Sequence, residues 1–227
     1  MGKNKLQRFR EMKDFPNVLE HGIETVQSGV FPLAGNWSKD HFKNNNPLVL
    51  ELACGKGEFA LAMAKMWPER NYLGIDIKGA RMYVGANEAL SSDLRNVAFL
   101  RTRIDFVETF FGEDEVDEIW ITFPDPQPQD NRAKKRLTSP MFIDRYRKLL
   151  KKGGEIRLKT DSDFFYNYTL EQIEEQGYSI TKRLDNLYAQ LEEVPDELAS
   201  VLGTKTHYEK IFSAKGHQIK YVSFRID

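Results

Sequence analysis

Apolar and polar residues alternate along the chain in segments whose lengths and spacings predict strands and helices. Short runs rich in Val, Ile and Leu predict buried strands, and longer runs with apolar residues three or four apart predict helices. Glycine, proline and asparagine separate these runs. The predicted strands cover residues 48–52, 71–75, 97–100, 116–122, 155–159 and 178–184, and the predicted helices cover residues 58–66, 79–90, 106–110, 139–150 and 161–176.

The order of these segments predicts an α/β fold. Strands that alternate with helices form a mostly parallel sheet, because each crossover helix returns the chain to the same end of the sheet. We expect about seven strands, with helices on both faces of the sheet. Two last strands are predicted to flank the turn at residues 214–217 as a hairpin, which would make the C-terminal edge antiparallel.

The turn between the first strand and the first helix is rich in glycine. Gly55 and Gly57 let the backbone approach a ligand closely and leave N–H groups free at the start of the helix. Asp76, at the end of the second strand, is placed to accept hydrogen bonds from ribose hydroxyls. These features predict a nucleotide-like cofactor, and by themselves they fit a nicotinamide dinucleotide as well as S-adenosylmethionine.

Two further acidic residues favour S-adenosylmethionine. Glu51, near the end of the first strand, places a carboxylate beside the glycine loop. A carboxylate repels a pyrophosphate and attracts a ligand that carries a sulfonium and an ammonium group. Asp105 follows the third strand and can accept a hydrogen bond from an adenine amino group.

An aspartate between two prolines follows the fourth strand. Proline fixes its own φ and disfavours helical geometry in the preceding residue, so Phe123, Asp125 and Gln127 are all predicted to be extended. Open α/β sheets bind their ligands at the carboxyl ends of strands. We therefore expect Asp125 to face a ligand.

Basic residues follow this aspartate. The net charge of the chain is −1, so any binding of nucleic acid depends on a local basic surface. Such side chains contact phosphates and position RNA without reading its sequence. The residues predicted to do so are Arg132, Lys134, Lys135 and Arg136, and Arg132 and Lys134 are taken as candidate substrate-binding residues.

Composition excludes several classes of protein. The chain has 227 residues, of which 41% are hydrophobic and 30% charged, as is typical of a globular protein. No apolar run approaches the length of a membrane span, and the basic start lacks the apolar core of a signal peptide. Cys54 is the single cysteine and is predicted to be a buried packing residue. A single cysteine cannot form an intrachain disulfide and suits a reducing compartment, so we expect a cytoplasmic protein. The four histidines show no metal-binding spacing, so we expect no metal site.

Four motifs in consistent order resemble the bacterial tRNA (guanine-N7)-methyltransferase family. They are the glycine-loop segment 50–59, Phe-Pro-Asp-Pro at 123–126, Lys-Thr-Asp at 159–161 and Thr-His-Tyr-Glu at 206–209. The resemblance implies a Rossmann-like methyltransferase. It also implies transfer of a methyl group from S-adenosylmethionine to N7 of a guanine in the variable loop of tRNA.

The resemblance implies roles for individual residues. Asp125 matches both the family's proposed catalytic residue and one of its cofactor-contacting acids. The other matches are Glu51, Asp76 and Asp105 for cofactor contacts, and Asp161, Thr206 and Glu209 for substrate contacts.

The resemblance also bears on domains and partners. Residues 1–46 are predicted to form an N-terminal basic arm and helical extension, and residues 47–227 the methyltransferase domain. We expect tRNA as the partner, no membrane association, and a monomer or homodimer without an obligate protein partner. Two departures from the family are Ala53, where the family has its first loop glycine, and Pro-Gln-Pro-Gln-Asp-Asn-Arg at residues 126–132, where the family has Pro-Trp-Pro-Lys-Lys-Arg-His.

Three other functions fit parts of the same pattern. A proline-rich acidic loop after the fourth strand also suits a methyltransferase that acts on amino groups of adenine or protein. The glycine loop would also serve a nicotinamide oxidoreductase. A protein with a cofactor-binding fold could also hold RNA without catalysis.

Overall fold

The computed structural model describes residues 2–214 and 216–227. Within them, eight strands form a single sheet. The strands are β1 (Val18–Glu20), β2 (Leu48–Leu52), β3 (Asn71–Asp76), β4 (Val97–Arg101), β5 (Val116–Thr122), β6 (Leu150–Thr160), β7 (Ser179–Leu184) and β8 (Lys220–Arg225).

Helices connect most of these strands, as the alternating sequence pattern predicts. The α-helices are α1 (Gly2–Met12), α2 (Ile23–Ser28), α3 (Glu58–Met66), α4 (Gly79–Ser91), α5 (Val107–Phe110), α6 (Pro140–Leu149), α7 (Asp163–Gln176), α8 (Asp196–Leu202) and α9 (His207–Ala214). A π-helical turn at Trp37–His41 and short 3-10 turns at Ile104–Phe106, Asp130–Lys135, Leu187–Ala189 and Leu191–Glu193 complete the helical segments described.

The strand order across the sheet is β1-β4-β3-β2-β5-β6-β8-β7. The first six strands in this order are parallel, and β8 pairs antiparallel with both β6 and β7. The predicted mostly parallel sheet with an antiparallel C-terminal edge is confirmed. None of the helices in the described part of the chain is long and apolar enough to cross a membrane.

The predicted C-terminal hairpin is wrong. The segment before residue 214 is the helix α9, not a strand, and β8 takes its partners from β6 and β7. Thr206 and Glu209 stabilise the helix start, because the backbone N–H of each residue donates to the side chain of the other at 3.3 Å. Of the segments named from sequence, Lys215 and the side chains of His207 and Tyr208 lie outside the described part.

Both faces of the sheet are buried. In β2, Leu48, Leu50 and Leu52 belong to one core and Val49 to the other, as the two-residue period of a strand requires. Helices α6 and α7 cover the first face, and α3 and α4 cover the second. Burial of each such leucine contributes about 1.5–3 kcal/mol, so these two cores hold the strand ends in fixed relative positions.

The N-terminal segment packs on the edge of this sheet. Strand β1 pairs with β4, and α1 packs against α4. The Arg101 guanidinium lies over the Phe9 ring at 4.5 Å, and the Tyr83 hydroxyl donates to Glu11 at 2.5 Å. Through β1 the N-terminal segment therefore extends the sheet by one strand, and the treatment of residues 1–46 as a separate unit stays a prediction.

Candidate active site

A cavity of about 1040 Å³ opens at the carboxyl ends of the central strands. Parallel strands bring the residues that follow them to one edge of the sheet, where ligands of α/β proteins bind. Of the predicted cofactor residues, Glu51, Gly55, Asp76 and Asp105 line this cavity. Of the predicted substrate-side residues, Asp125, Asp161 and Thr206 line it.

Four predicted site residues do not line this cavity. Gly57 is buried against the Phe99 ring, and Glu209 is buried in the interior. Arg132 and Lys134 are exposed on the 3-10 segment Asp130–Lys135. Lys135, on the same segment, does line the cavity, so the basic run reaches its rim.

The glycine loop needs glycine for conformation and for packing. Gly55 and Gly57 both adopt left-handed geometry, with φ of 58° and 70°. A Cβ on Gly57 would lie 2.3 Å from the Phe99 ring, so a side chain there would force the loop away from β4. The close packing of loop on sheet therefore fixes the floor of the cavity.

Ala53 also adopts left-handed geometry, with φ of 59°. A residue with a Cβ pays about 1–2 kcal/mol for this conformation, whereas glycine adopts it without strain. We expect Ala53→Gly to raise the free energy of unfolding by up to about 1 kcal/mol, because the added freedom of the unfolded chain offsets part of the relief. Urea denaturation checks this. Ala64→Gly, at a buried position inside α3, should instead destabilise the protein.

Glu51 is a buried carboxylate with two hydrogen-bond donors. It is 2% exposed, and its oxygens accept from the Thr122 hydroxyl at 2.6 Å and from the Ala60 backbone N–H at 2.9 Å. Burial raises its pKa from 4.5 to about 7, although both hydrogen bonds oppose the shift. A cation placed in the cavity would therefore stabilise the ionised form. Thr122 was not identified from sequence.

Asp76 is held rigidly at the end of β3. Its two carboxylate oxygens accept from the backbone N–H groups of Gly55 at 2.9 Å and Lys78 at 2.8 Å. Each oxygen keeps a free lone pair that can accept from a hydroxyl of a bound ligand. Asp76 therefore connects the glycine loop to the start of α4.

The wall beyond Asp76 combines apolar and acidic side chains. Ile77 is 51% exposed, and with Ile104 and Phe142 it lines the cavity. Asp105 lies in the same region and forms an ion pair with Arg103 at 3.3 Å. An exposed apolar wall beside a hydrogen-bond acceptor fits a flat heterocycle that carries an amino group. Ile77 and Phe142 were not among the residues predicted from sequence.

Asp125 is exposed and lines the cavity at the end of β5. Its Oδ1 accepts from the backbone N–H of Gln127 at 3.3 Å. Asp161, which follows β6, is less exposed, and its burial raises its carboxyl pKa. His217, judged ordinary from sequence, lies 3.8 Å from Asp161 and also lines the cavity.

The predicted extended geometry before the prolines is wrong at two positions. Phe123 and Gln127 both have φ of 48°, in the left-handed region. Tertiary hydrogen bonds hold these conformations. The Phe123 N–H donates to the Lys159 carbonyl at 2.9 Å, and the Gln127 carbonyl accepts from Arg136 at 3.1 Å. Asp125 is therefore held by contacts from outside its loop as well as by its prolines.

Glu209 is fully buried, although the resemblance implies substrate contact for it. Its Oε2 lies 2.9 Å from Nζ of Lys159, which is also 0% exposed, and its other oxygen accepts from the Tyr188 hydroxyl. Burial lowers the Lys159 pKa against the opposing effect of Glu209. Glu209 thus joins β6 to the start of α9, beside Thr206, and its contact with substrate stays a prediction.

Arg136 differs from the other basic residues of its segment. It is 6% exposed, and its guanidinium packs against the rings of Phe164 and Tyr168 at 4.7 and 4.5 Å. Its burial corrects the expectation that it contacts RNA phosphates with its neighbours. Cys54 is likewise buried and free, and the prediction that it is a packing residue is confirmed.

Known proteins resemble this chain over nearly its whole length. Residues 45–222 match the family model described as "Putative methyltransferase". The tRNA (guanine-N(7)-)-methyltransferase of Bacteroides fragilis is 46% identical over 224 residues, which are 99% of this chain and 86% of that protein. The protein of the same name from Christiangramia forsetii is 46% identical over 99% of this chain and 98% of its own length.

Solved structures share the fold. The crystal structure of the 16S rRNA methyltransferase KamB matches with a TM-score of 0.60 over 84% of this chain and 93% of that chain, at 15% identity. The methyltransferase matches decide between the two cofactor classes that the glycine loop left open. With its Rossmann-like sheet and an acid-lined cavity at the strand ends, the chain belongs to the family of tRNA (guanine-N(7)-)-methyltransferases.

Proposed function

We propose that the protein transfers a methyl group from S-adenosylmethionine to N7 of a guanine in the variable loop of tRNA. The observation that carries this proposal is one continuous cavity with two acidic parts. Glu51, Asp76 and Asp105 line it from β2, from β3 and from the segment after β4, whereas Asp125 and Asp161 line it from the segments after the neighbouring strands β5 and β6. A cofactor and a base bound in these two parts would lie next to each other.

The first part fits S-adenosylmethionine. The buried Glu51 carboxylate favours a positively charged ligand, and the oxygens of Asp76 that remain available suit ribose hydroxyls. Ile77 and Ile104 offer an apolar wall for the adenine ring, with Asp105 near its amino group. When bound there, S-adenosylmethionine supplies a methyl group made electrophilic by its sulfonium.

The second part fits a guanine. The lone pair of N7 forms the new N–C bond while the electrons of the S–C bond return to sulfur, so no proton has to move. The work of the enzyme is therefore to align the base and to stabilise the positive charge that develops on it. A carboxylate can accept from both N1–H and N2–H₂ of guanine. Asp125 takes this role, and Asp161 adds negative charge nearby.

RNA reaches the cavity across the exposed basic segment. Arg132 and Lys134 contact backbone phosphates, and Arg132 is oriented by a 3.3 Å hydrogen bond to the Gln127 side chain. The target guanine has to leave its stack to reach Asp125, as bases do in other enzymes that modify them. We place the protein in the cytoplasm, as a monomer or homodimer without an obligate protein partner.

Labelled methyl transfer tests this function. The purified protein, S-adenosylmethionine with a labelled methyl group and an unmodified tRNA transcript should yield labelled tRNA that is cleaved at N7-methylguanine in the variable loop. Label without such cleavage would indicate an amino-group methyltransferase. Binding of RNA without any label would indicate a protein that holds RNA without catalysis.

The pKa of Glu51 predicts a pH dependence of cofactor binding. Binding of a cation favours ionised Glu51, so the Kd for S-adenosylmethionine should fall by about tenfold between pH 6 and pH 8. Calorimetry measures this change. In Glu51→Gln, the pH dependence of Kd that comes from ionisation of Glu51 should disappear. The pH dependence that comes from the amino group of the ligand should remain. A wild-type profile that matches Glu51→Gln would contradict the assignment.

The same raised pKa predicts the pH dependence of stability without ligand. Above pH 4.5 the unfolded state releases the proton of Glu51, whereas the folded state keeps it until about pH 7. The contribution of the protonated carboxyl to the free energy of unfolding is therefore lost as the pH rises toward 7. We compare the unfolding free energy of the wild type with that of Glu51→Gln at each pH. The wild-type value minus the variant value should fall by about 3 kcal/mol between pH 4 and pH 8. Urea denaturation at each pH provides the measurement.

A further inference from the structure

Arg136 is a buried cation that the proposed reaction does not use. The basic residues before it, Arg132, Lys134 and Lys135, are exposed, whereas Arg136 is enclosed by the Pro-Asp-Pro loop and by α7. A buried charge needs dedicated partners, because it has lost its hydration. The partners of Arg136 show what it stabilises.

One set of partners holds the guanidinium in a fixed plane. The rings of Phe164 and Tyr168, one helical turn apart on α7, lie 4.7 and 4.5 Å from its central carbon. Contact of a guanidinium with two aromatic rings is favourable electrostatically and restricts its rotation. Phe164 is 41% exposed, an unusual position for a phenylalanine that only fills a core. These rings therefore orient Arg136 relative to α7.

The exposed carboxylate of Asp130 lies 4.0 Å from Nη2 of Arg136, and the remaining partners belong to the loop that carries Asp125. Nε of Arg136 donates to the Gln127 carbonyl at 3.1 Å, and Nη2 donates to the Pro128 carbonyl at 3.5 Å. The planar guanidinium can hold two adjacent carbonyls at once, which an ammonium group cannot do with the same geometry. Gln127 has φ of 48°, so its conformation depends on such an external contact.

Gln127 transmits this constraint to Asp125. Its backbone N–H donates to Asp125 Oδ1 at 3.3 Å, and its carbonyl is held by Arg136. We propose that Arg136 is a positioning residue for methyl transfer: through Gln127 it fixes the orientation of the Asp125 carboxylate toward the guanine. This inference rests on the proposed function and assigns to Arg136 a role different from phosphate binding.

Arg136→Lys is the most direct test, because it keeps the positive charge and removes the planar guanidinium that holds two carbonyls at once. We expect kcat for methyl transfer to fall by about 10- to 100-fold, since a small misplacement of a positioning group has effects of this size. The Kd for S-adenosylmethionine and the Kd for tRNA should stay within about twofold of wild type, as should the salt dependence of tRNA binding. Tyr168→Leu, which removes one ring and keeps the arginine, should lower kcat in the same direction.

A double-mutant cycle separates positioning from general damage to the fold. In single-turnover assays, Arg136→Lys should change the residual rate of Asp125→Ala by less than about twofold, because Asp125 is no longer there to be positioned. A full effect in the Asp125→Ala background would overturn the proposal. So would wild-type kcat in Arg136→Lys.

Salt dependence distinguishes the alternative role. Loss of one phosphate contact reduces the slope of log K against log salt by about 0.7–0.9. Arg132→Ala should show this reduction, and Arg136→Lys should not. The same reduction in Arg136→Lys would identify Arg136 as an RNA contact and overturn the positioning role.

Arg147→Lys is the matched control. Arg147 on α6 also lies over an aromatic ring, that of Tyr178 at 5.8 Å, and donates to a backbone carbonyl, that of Ile226. It does not line the cavity, so kcat should be unchanged. Failure of the wild-type protein to transfer a methyl group to tRNA would contradict the proposed function. Failure of Arg136→Lys to lower kcat in an active protein would contradict the role of Arg136 alone.

Discussion

Asp125→Ala should lower kcat/KM for methyl transfer to tRNA by about 100- to 1000-fold, while binding of S-adenosylmethionine stays measurable. The physical reason is the loss of a fixed carboxylate that accepts from two guanine N–H groups and stabilises the charge on the methylated base. Asp125 is exposed at the cavity mouth and is held by Pro124, Pro126 and the Gln127 N–H. Steady-state kinetics with labelled cofactor measure the change.

Two further variants sharpen this test. Asp125→Asn keeps one acceptor oxygen but removes the charge, so its loss should be smaller than that of Asp125→Ala. Asp144→Ala, an exposed carboxylate on α6 that does not line the cavity, should keep wild-type kinetics. Turnover by Asp125→Ala within about threefold of wild type would remove Asp125 from the mechanism.

Glu209→Ala should lower the free energy of unfolding by about 3–5 kcal/mol. The substitution would leave the Lys159 ammonium, which is 0% exposed, without a counter-charge and with the carbonyls of Leu202 and Thr204 at 2.7 and 3.0 Å as its hydrogen-bond acceptors. A loss of this size is a large part of the total stability of a typical domain. Urea denaturation should show a lower midpoint with an unchanged slope.

A double substitution shows whether the destabilisation comes from the unpaired charge or from the loss of packing. Lys159→Met combined with Glu209→Leu removes both charges and should recover most of the stability lost in Glu209→Ala. A double variant as unstable as the sum of the two single substitutions would contradict this explanation. Glu209→Gln, which keeps a hydrogen-bonding side chain, then shows by its kinetics whether Glu209 also contacts the guanine.

Much of the parallel sheet could be predicted from sequence, because its strands are apolar on both faces and are separated by clear turn residues. Strands β2 and β5 and helix α3 begin and end at the predicted residues. The acids at the strand ends were found for a related reason. Once a strand's end is known, topology places the next side chain at the ligand-binding edge.

The rest depended on tertiary contacts that local pattern does not contain. Strand β1 has only three residues and is defined by its pairing with β4. Phe123 and Gln127 adopt left-handed geometry because hydrogen bonds from outside their own turn hold them, to Lys159 on β6 and from Arg136 after the 3-10 segment. The segment before residue 214 is helical although it was predicted to be a strand, since Thr206 and Glu209 cap it.

The roles of charged residues were also difficult to assign from sequence. Arg136 belongs to a basic run, yet the rings of α7 enclose it. Glu209 carries a family motif, yet its partner is the buried Lys159. Charge alone does not distinguish a side chain that faces a ligand from one that supports the fold, because burial decides between these roles.

Replacement of a single atom in the substrate tests the central claim most directly. Two tRNA transcripts would differ only at the target guanine of the variable loop, which is guanosine in one and 7-deazaguanosine in the other. The second transcript keeps the N1–H and N2–H₂ groups but has carbon in place of N7. We predict that both bind with similar Kd and that only the guanosine transcript is methylated. Equal methylation of both transcripts would contradict transfer to N7.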